Sequence, residues 1–109
     1  MSNKAEEDFH NAMKKLYTDA LNLNPPYKSP RFLDMLNDHG GKETANRLLA
    51  SSAPSTGFTE LFLRGKDSLK LSVEYLVLMN PWNELFTEQQ LEIARKRLIQ
   101  VECPLPNTD

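Results

Sequence analysis

The sequence contains little cysteine, no excess of positive charge and no long apolar run. A single Cys among 109 residues excludes an internal disulfide and a zinc site built on thiolates. The longest apolar run, residues 75–79, is far shorter than the roughly 20 residues that span a bilayer. The polar, acidic start of the chain also lacks the basic and apolar regions of a secretory signal. We therefore expect a cytoplasmic protein that does not associate with a membrane.

The charge balance limits the possible partners. Thirteen Lys and Arg residues against fifteen Asp and Glu residues give a formal net charge of −2. Counterion release, which drives non-specific binding to nucleic acid, needs a positive surface. The composition therefore excludes a uniformly basic nucleic-acid binder, although a local basic patch is still possible. Apolar residues make up 39% of the chain and charged residues 26%, which is ordinary for one globular domain.

The first segment has the clearest helical pattern in the chain. Apolar residues recur there at the spacing of one helix face. They are Phe9, Ala12, Met13, Leu16, Tyr17, Ala20 and Leu21. Asn3 is the predicted N-cap, and Pro25 with Pro26 ends the helix because proline lacks the backbone N–H.

Proline and glycine delimit the next three predicted helices. Ser29 followed by Pro30 predicts an N-cap and a first helical residue. The His39-Gly40-Gly41 sequence ends that helix because glycine readily adopts the left-handed conformation. Two further helices are predicted over residues 42–51 and from Thr56 to Gly65.

Two interpretations are open for residues 69–79. Apolar and other residues alternate in the first half of the segment, which is typical of a strand. Ser72 could instead cap a helix. We favour the helix because a lone strand would leave its backbone hydrogen-bonding groups without partners. Asn80 and Pro81 repeat the arrangement of a cap followed by proline, and they predict another short helix.

The last helix has the most fully specified start. Thr87 and Gln90 form a capping box, and Phe86 and Leu91 occupy the two positions of a hydrophobic staple. Three consecutive basic residues lie near the C-terminal end of this helix, where the helix dipole favours positive charge. We expect these side chains to be exposed to solvent. They are Arg95, Lys96 and Arg97. We predict one helical domain over residues 1–102 and a tail over residues 103–109.

The predicted fold class is all-α, an irregular or orthogonal bundle of about six short helices. Helices this short are unstable alone, so packing must hold them. The predicted core comprises Phe32, Leu36, Leu48, Phe58, Phe62, Leu76, Trp82, Phe86 and Leu98. Trp82 could instead be an exposed anchor for a partner protein, because aromatic anchors dominate interface energetics.

Four short motifs resemble those of a small group of bacterial helical proteins. The patterns are GGxxTAxxLL from Gly40, GFTxL from Gly57, LxxExLVL from Leu71 and LFTxxxLxxAxxRL from Leu85. The similarity extends over about residues 27–98 and consists mostly of helix starts and core faces. It implies a helical fold and a bacterial source, and it implies no activity.

Two basic regions are candidate contact sites. Residues 31–51 resemble a helix-turn-helix element, although a plain helical hairpin explains the same pattern. Asp34, Asp38 and Glu43 would repel phosphate there. A second basic cluster follows near Gly65, for which a solvated face is the alternative. The candidate contact residues are Lys42, Asn46, Arg47, Arg64, Lys66 and Lys70.

Residues that would support catalysis or metal binding are sparse. Asp34, Asp38 and His39 are close in sequence, but the histidine points away from the carboxylates and no second His or Cys is nearby. Cys103 lies between prolines in the predicted tail without a positioned base. We therefore predict no catalytic residue, metal or cofactor. The predicted function is a non-catalytic protein-interaction or regulatory module that binds a partner protein, and the alternative is a nucleic-acid-binding regulator that uses the two basic regions.

Overall fold

The computed structural model describes residues 4–106, which form six α-helices and two 3₁₀ helices and contain no strand. The helices are α1 Lys4–Ala20, α2 Pro30–His39, α3 Gly41–Ala50, α4 Thr56–Leu63, the 3₁₀ helix η1 Lys66–Leu71, α5 Val73–Val77, the 3₁₀ helix η2 Trp82–Leu85 and α6 Glu88–Gln100. They pack into one bundle that measures 40 × 28 × 27 Å. The predicted all-α bundle is confirmed. The predicted cap Asn3 lies outside the described residues.

Side chains cap the helices in the middle of the chain as the sequence predicts. The Ser29 hydroxyl accepts the Phe32 N–H at 3.4 Å, with Pro30 at the first helical position. Gly40 ends α2 with a φ of +83°, in the region that favours glycine, and it also precedes the first residue of α3. Helix α3 therefore begins directly at Gly41.

Ser72 decides the secondary structure of residues 69–79. Its hydroxyl accepts the Tyr75 N–H at 3.1 Å and donates to the Leu69 carbonyl at 2.7 Å. Residues 73–77 of this segment therefore form the helix α5, as predicted, while residues 69–71 belong to η1, where no helix was predicted. The cap predicted at Asn80 is wrong, because Pro81 is the residue before η2 and no side chain caps that helix.

The capping box of α6 is present in full. The Thr87 hydroxyl accepts the Gln90 N–H at 3.1 Å, and the Gln90 side-chain oxygen accepts the Thr87 N–H at 2.9 Å. Phe86 and Leu91, the two residues of the predicted staple, are both buried in the core. The start of α6 is therefore determined by contacts within a few residues.

An aromatic cluster lies in the core where α1 meets η2. The Phe9 ring packs edge-on against Trp82, with 5.8 Å between ring centroids, and against Phe86 at 5.3 Å. Trp82 therefore packs against the core, as predicted. Phe62 was predicted to be in the core and is 38% exposed. Helix α4 is short, and it buries the neighbouring Leu61 instead.

The C-terminal end of the bundle extends beyond the predicted boundary. Glu102 adopts a φ of +58° and reverses the chain after α6. The Cys103 N–H then donates to the Leu98 carbonyl at 3.0 Å, which is the hydrogen bond of a Schellman motif. Cys103 was assigned to the tail, but it is buried in the core cluster. Cys103 is buried because the turn after α6 brings the chain back to the core.

Helices α1 and α3 cross at unusually short distance. A Cβ atom placed on Gly41 would lie 2.6 Å from the Cα atom of His10, closer than real Cβ atoms approach. Gly41 is also buried. The absence of a side chain at this position therefore allows the two backbones to approach.

We expect Gly41→Ala to lower the free energy of unfolding by about 1–3 kcal/mol, the usual effect of overpacking. Gly57→Ala is the matched control, because a Cβ atom there meets its nearest neighbours at an ordinary 3.6 Å. The control should leave stability unchanged or raise it by up to about 1 kcal/mol through helix propensity. Urea unfolding of both variants measures the effect. Equal stability of the two variants would contradict the close crossing.

Candidate functional site

A cleft with a volume of about 680 Å³ opens between α1, α2, α4 and the start of α5. Its volume lies within the range of ligand-binding pockets, about 300–1,000 Å³. The connector between α1 and α2 forms one edge of the cleft. Apolar side chains from several elements surround this space, which is open to solvent.

Half-buried aromatic and aliphatic side chains line the cleft. Tyr17 comes from α1, Tyr27 from the connector, and Phe32 and Met35 from α2. Large aromatic residues supply most of the binding energy in protein interfaces. The walls are therefore suited to an apolar group.

Arg64 holds the connector in place. Its guanidinium donates to the backbone carbonyls of Pro25 at 2.7 Å and Pro26 at 3.2 Å, and it pairs with Glu60 at 2.9 Å. It also lies over the Tyr27 ring, 5.2 Å from the centroid. Arg64 therefore positions one wall of the cleft.

A buried ion pair lies beside the cleft, and one of its two members, Glu74, lines it. Arg97 of α6 donates to the Glu74 carboxylate at 2.9 Å, and the two side chains are only 6% and 3% exposed. The same guanidinium donates to the carbonyls of Leu48 at 3.1 Å and Ser51 at 2.6 Å. Because α3 ends at Ala50, these carbonyls have no partner within a helix, and Arg97 caps its C-terminus.

Burial has the largest effect on the pKa of the Glu74 carboxyl. It raises the pKa of the carboxyl above the ordinary value of 4.5, and hydrogen bonds from its own backbone and from Arg97 only partly oppose the rise. The sequence carries a signal for this site that the prediction did not use. Glu74 is the sole charged residue in residues 71–79, and a lone acid in an apolar run needs a partner when it is buried.

The rim of the cleft is positive. Lys28 and Arg31 are exposed, and neither forms an ion pair within residues 4–106. The first turns of α2 and α4 also open onto the cleft, and neither contains an acidic residue, whereas α1, α3 and α6 each have one or more in the first turn. Among the described residues that line the cleft, Glu74 is the single acid, and Arg97 balances its charge.

The three predicted contact residues of α3 each interact with another side chain of the protein. Lys42 lies 3.9 Å from the Glu6 carboxylate, and Arg47 pairs with Glu43 at 3.1 Å. Asn46 accepts a hydrogen bond from Gln90 at 2.9 Å. Lys42 and Asn46 line a second, more open and more polar depression that also contains Glu6 and Glu43.

The three remaining predicted contact residues lie on a different part of the bundle. Arg64 ends α4 beside the connector, while Lys66 and Lys70 are exposed on η1. The ammonium groups of Lys70 and Lys66 oppose the rise that burial causes in the pKa of the Cys103 thiol, so they lie on the side of the bundle that holds Cys103. Helix α3 packs mainly on α1, α2, α5 and α6, so the structure does not bring the two predicted basic regions into one patch.

Known proteins give no indication of what this site does. No family model matches the chain, and no curated protein or solved structure shows detectable similarity to it. Within residues 4–106, no three His, Cys, Asp or Glu side chains come together as a metal site. None of the described helices combines the length and apolar character needed to cross a membrane. The predicted family resemblance stays a prediction.

We expect Arg97→Met to lower the free energy of unfolding by roughly 3–5 kcal/mol, because it leaves the Glu74 charge buried without a partner. The double variant Glu74→Met/Arg97→Met should be more stable than Arg97→Met alone. Arg47→Met removes an ion pair that is about half exposed, so it should change stability by about 0.5 kcal/mol or less. Urea unfolding at pH 7 tests all three. A double variant no more stable than Arg97→Met would contradict the uncompensated charge as the cause.

The raised pKa of Glu74 predicts a pH dependence of stability. The native carboxyl keeps its proton to higher pH than the unfolded chain does. Its contribution to stability is therefore complete below the ordinary pKa and is lost as the pH rises through the native pKa. We expect the unfolding free energy of the wild type, minus that of Glu74→Gln, to fall as the pH rises from about 4 to 7. A difference that increases with pH would show that Arg97 outweighs burial.

Proposed function

We propose that the protein is a non-catalytic interaction module that binds a partner protein in the cleft. The observation that supports this most directly is the set of half-buried side chains, Tyr17, Tyr27, Phe32 and Met35, around a solvent-open space. Apolar anchors that enter such a space are desolvated on binding, which is typical of interface hot spots. The proposed role of the protein is thus recognition through a preformed surface.

Nucleic-acid binding is the less supported alternative. The Arg47 and Arg64 cations are paired with acidic side chains, and Lys42 lies close to another. Lys66 and Lys70 are unpaired within the described residues, but they lie apart from α3. A contact to several phosphates needs cations that converge on one face.

The test selects peptides from a displayed random library against the full chain and measures their binding to two Trp variants. Gly57→Trp places a bulky side chain beside the Tyr27 hydroxyl and Ser55 at the cleft. Gln89→Trp is the matched control, since it also changes the second residue of a helix and is exposed away from the cleft. We expect Gly57→Trp to weaken peptide binding at least about tenfold, or about 1.4 kcal/mol, and Gln89→Trp to leave it unchanged.

Peptides that bind both variants equally would contradict the cleft as the binding site, as would failure to select any peptide. Titration with duplex DNA at two salt concentrations tests the alternative. Tight binding to DNA that weakens steeply with salt, and that Gly57→Trp leaves unchanged, would favour the nucleic-acid function.

A further inference from the structure

We propose that the cleft recognises a segment of its partner that carries an acidic side chain next to an apolar one. The apolar side chain enters between the aromatic walls, and the carboxylate contacts Lys28 and Arg31 at the rim. This inference rests on the proposed function and adds the chemistry of the partner.

The two rim cations are available to a partner. The other arginines near the cleft are occupied, because Arg64 binds Glu60 and the connector and Arg97 binds Glu74. Lys28 and Arg31 have no such partner among residues 4–106 and are exposed. A carboxylate that meets them forms charge-assisted hydrogen bonds without displacing an ion pair of the protein itself.

The backbone reinforces the positive charge of the rim. The N-terminal turns of α2 and α4 both border the cleft. Partial positive charge accumulates at such ends, and an acidic residue in the first turn normally balances it. The first turns of both helices lack an acid. Two side-chain cations and two helix ends thus face the same opening.

The apolar side chains that line the cleft favour a partner with an apolar residue next to its carboxylate. Tyr17 of α1 and Phe32 of α2 both line the cleft, and Met35 follows Phe32 along α2. The acid nearest to this space, Glu74, is neutralised from behind by Arg97. An acidic peptide is therefore not repelled by Glu74, while a peptide that presents a basic residue meets like charge at the rim.

Charge reversal tests the proposal with the peptides selected for the cleft. The double variant Lys28→Glu/Arg31→Glu inverts the rim. The double variant Lys14→Glu/Lys96→Glu changes the net charge by the same amount at two exposed lysines that do not line the cleft. Circular dichroism of both variants verifies that they fold. Fluorescence anisotropy of labelled peptides then measures affinity at low and high sodium chloride.

We expect the selected peptides to place Asp or Glu within a few residues of an aromatic or aliphatic residue. Their affinity should fall at least about tenfold in the rim variant and less than about twofold in the control, and salt should weaken binding to the wild type. Neutral or basic peptides that Gly57→Trp still blocks would overturn this inference while leaving the proposed function intact. Equal losses in both charge variants would overturn it as well.

Discussion

The hydrogen bonds of the buried Arg97 guanidinium are the constraint on which the rest of the structure depends. They join α6 to the Glu74 carboxylate of α5 and to the last carbonyls of α3. A buried cation is costly unless it is paired and hydrogen-bonded, so these contacts favour one relative arrangement of the three helices. That arrangement places the start of α5 and the end of α3 side by side, and both border the cleft.

The cleft itself is a consequence of how the first half of the chain packs on this frame. Gly41 lets α3 approach the backbone of α1, and Arg64 holds the connector against the end of α4. Arg64, a member of the predicted basic cluster near Gly65, therefore has a structural role. Lys28 and Arg31, which form no ion pair among residues 4–106, line the same opening. The basic residues that hold the bundle together thus differ from those of the proposed contact surface.

Local signals predicted the helices well and the site poorly. Ser29, Ser72 and Thr87 cap helices as expected, because each cap needs only an N–H two or three residues ahead. The cap expected at Asn80 does not form, and the exposure of Phe62 was not predicted. These failures occur where a helix is only a turn or two long, so that neighbouring elements decide which side chains are buried.

The sequence alone determined that the chain is helical and where most helices begin and end. Hydrophobic periodicity and capping are patterns within a continuous stretch of the chain, so they can be recognised without knowing how distant segments pack. The tertiary structure alone decided which charges are buried, paired or free. Glu74 and Arg97 are 23 residues apart and Arg64 and Pro25 are 39 apart. Which basic residues are occupied, and which face the cleft, depends on how distant segments cross, because desolvation and pairing are properties of the packed chain.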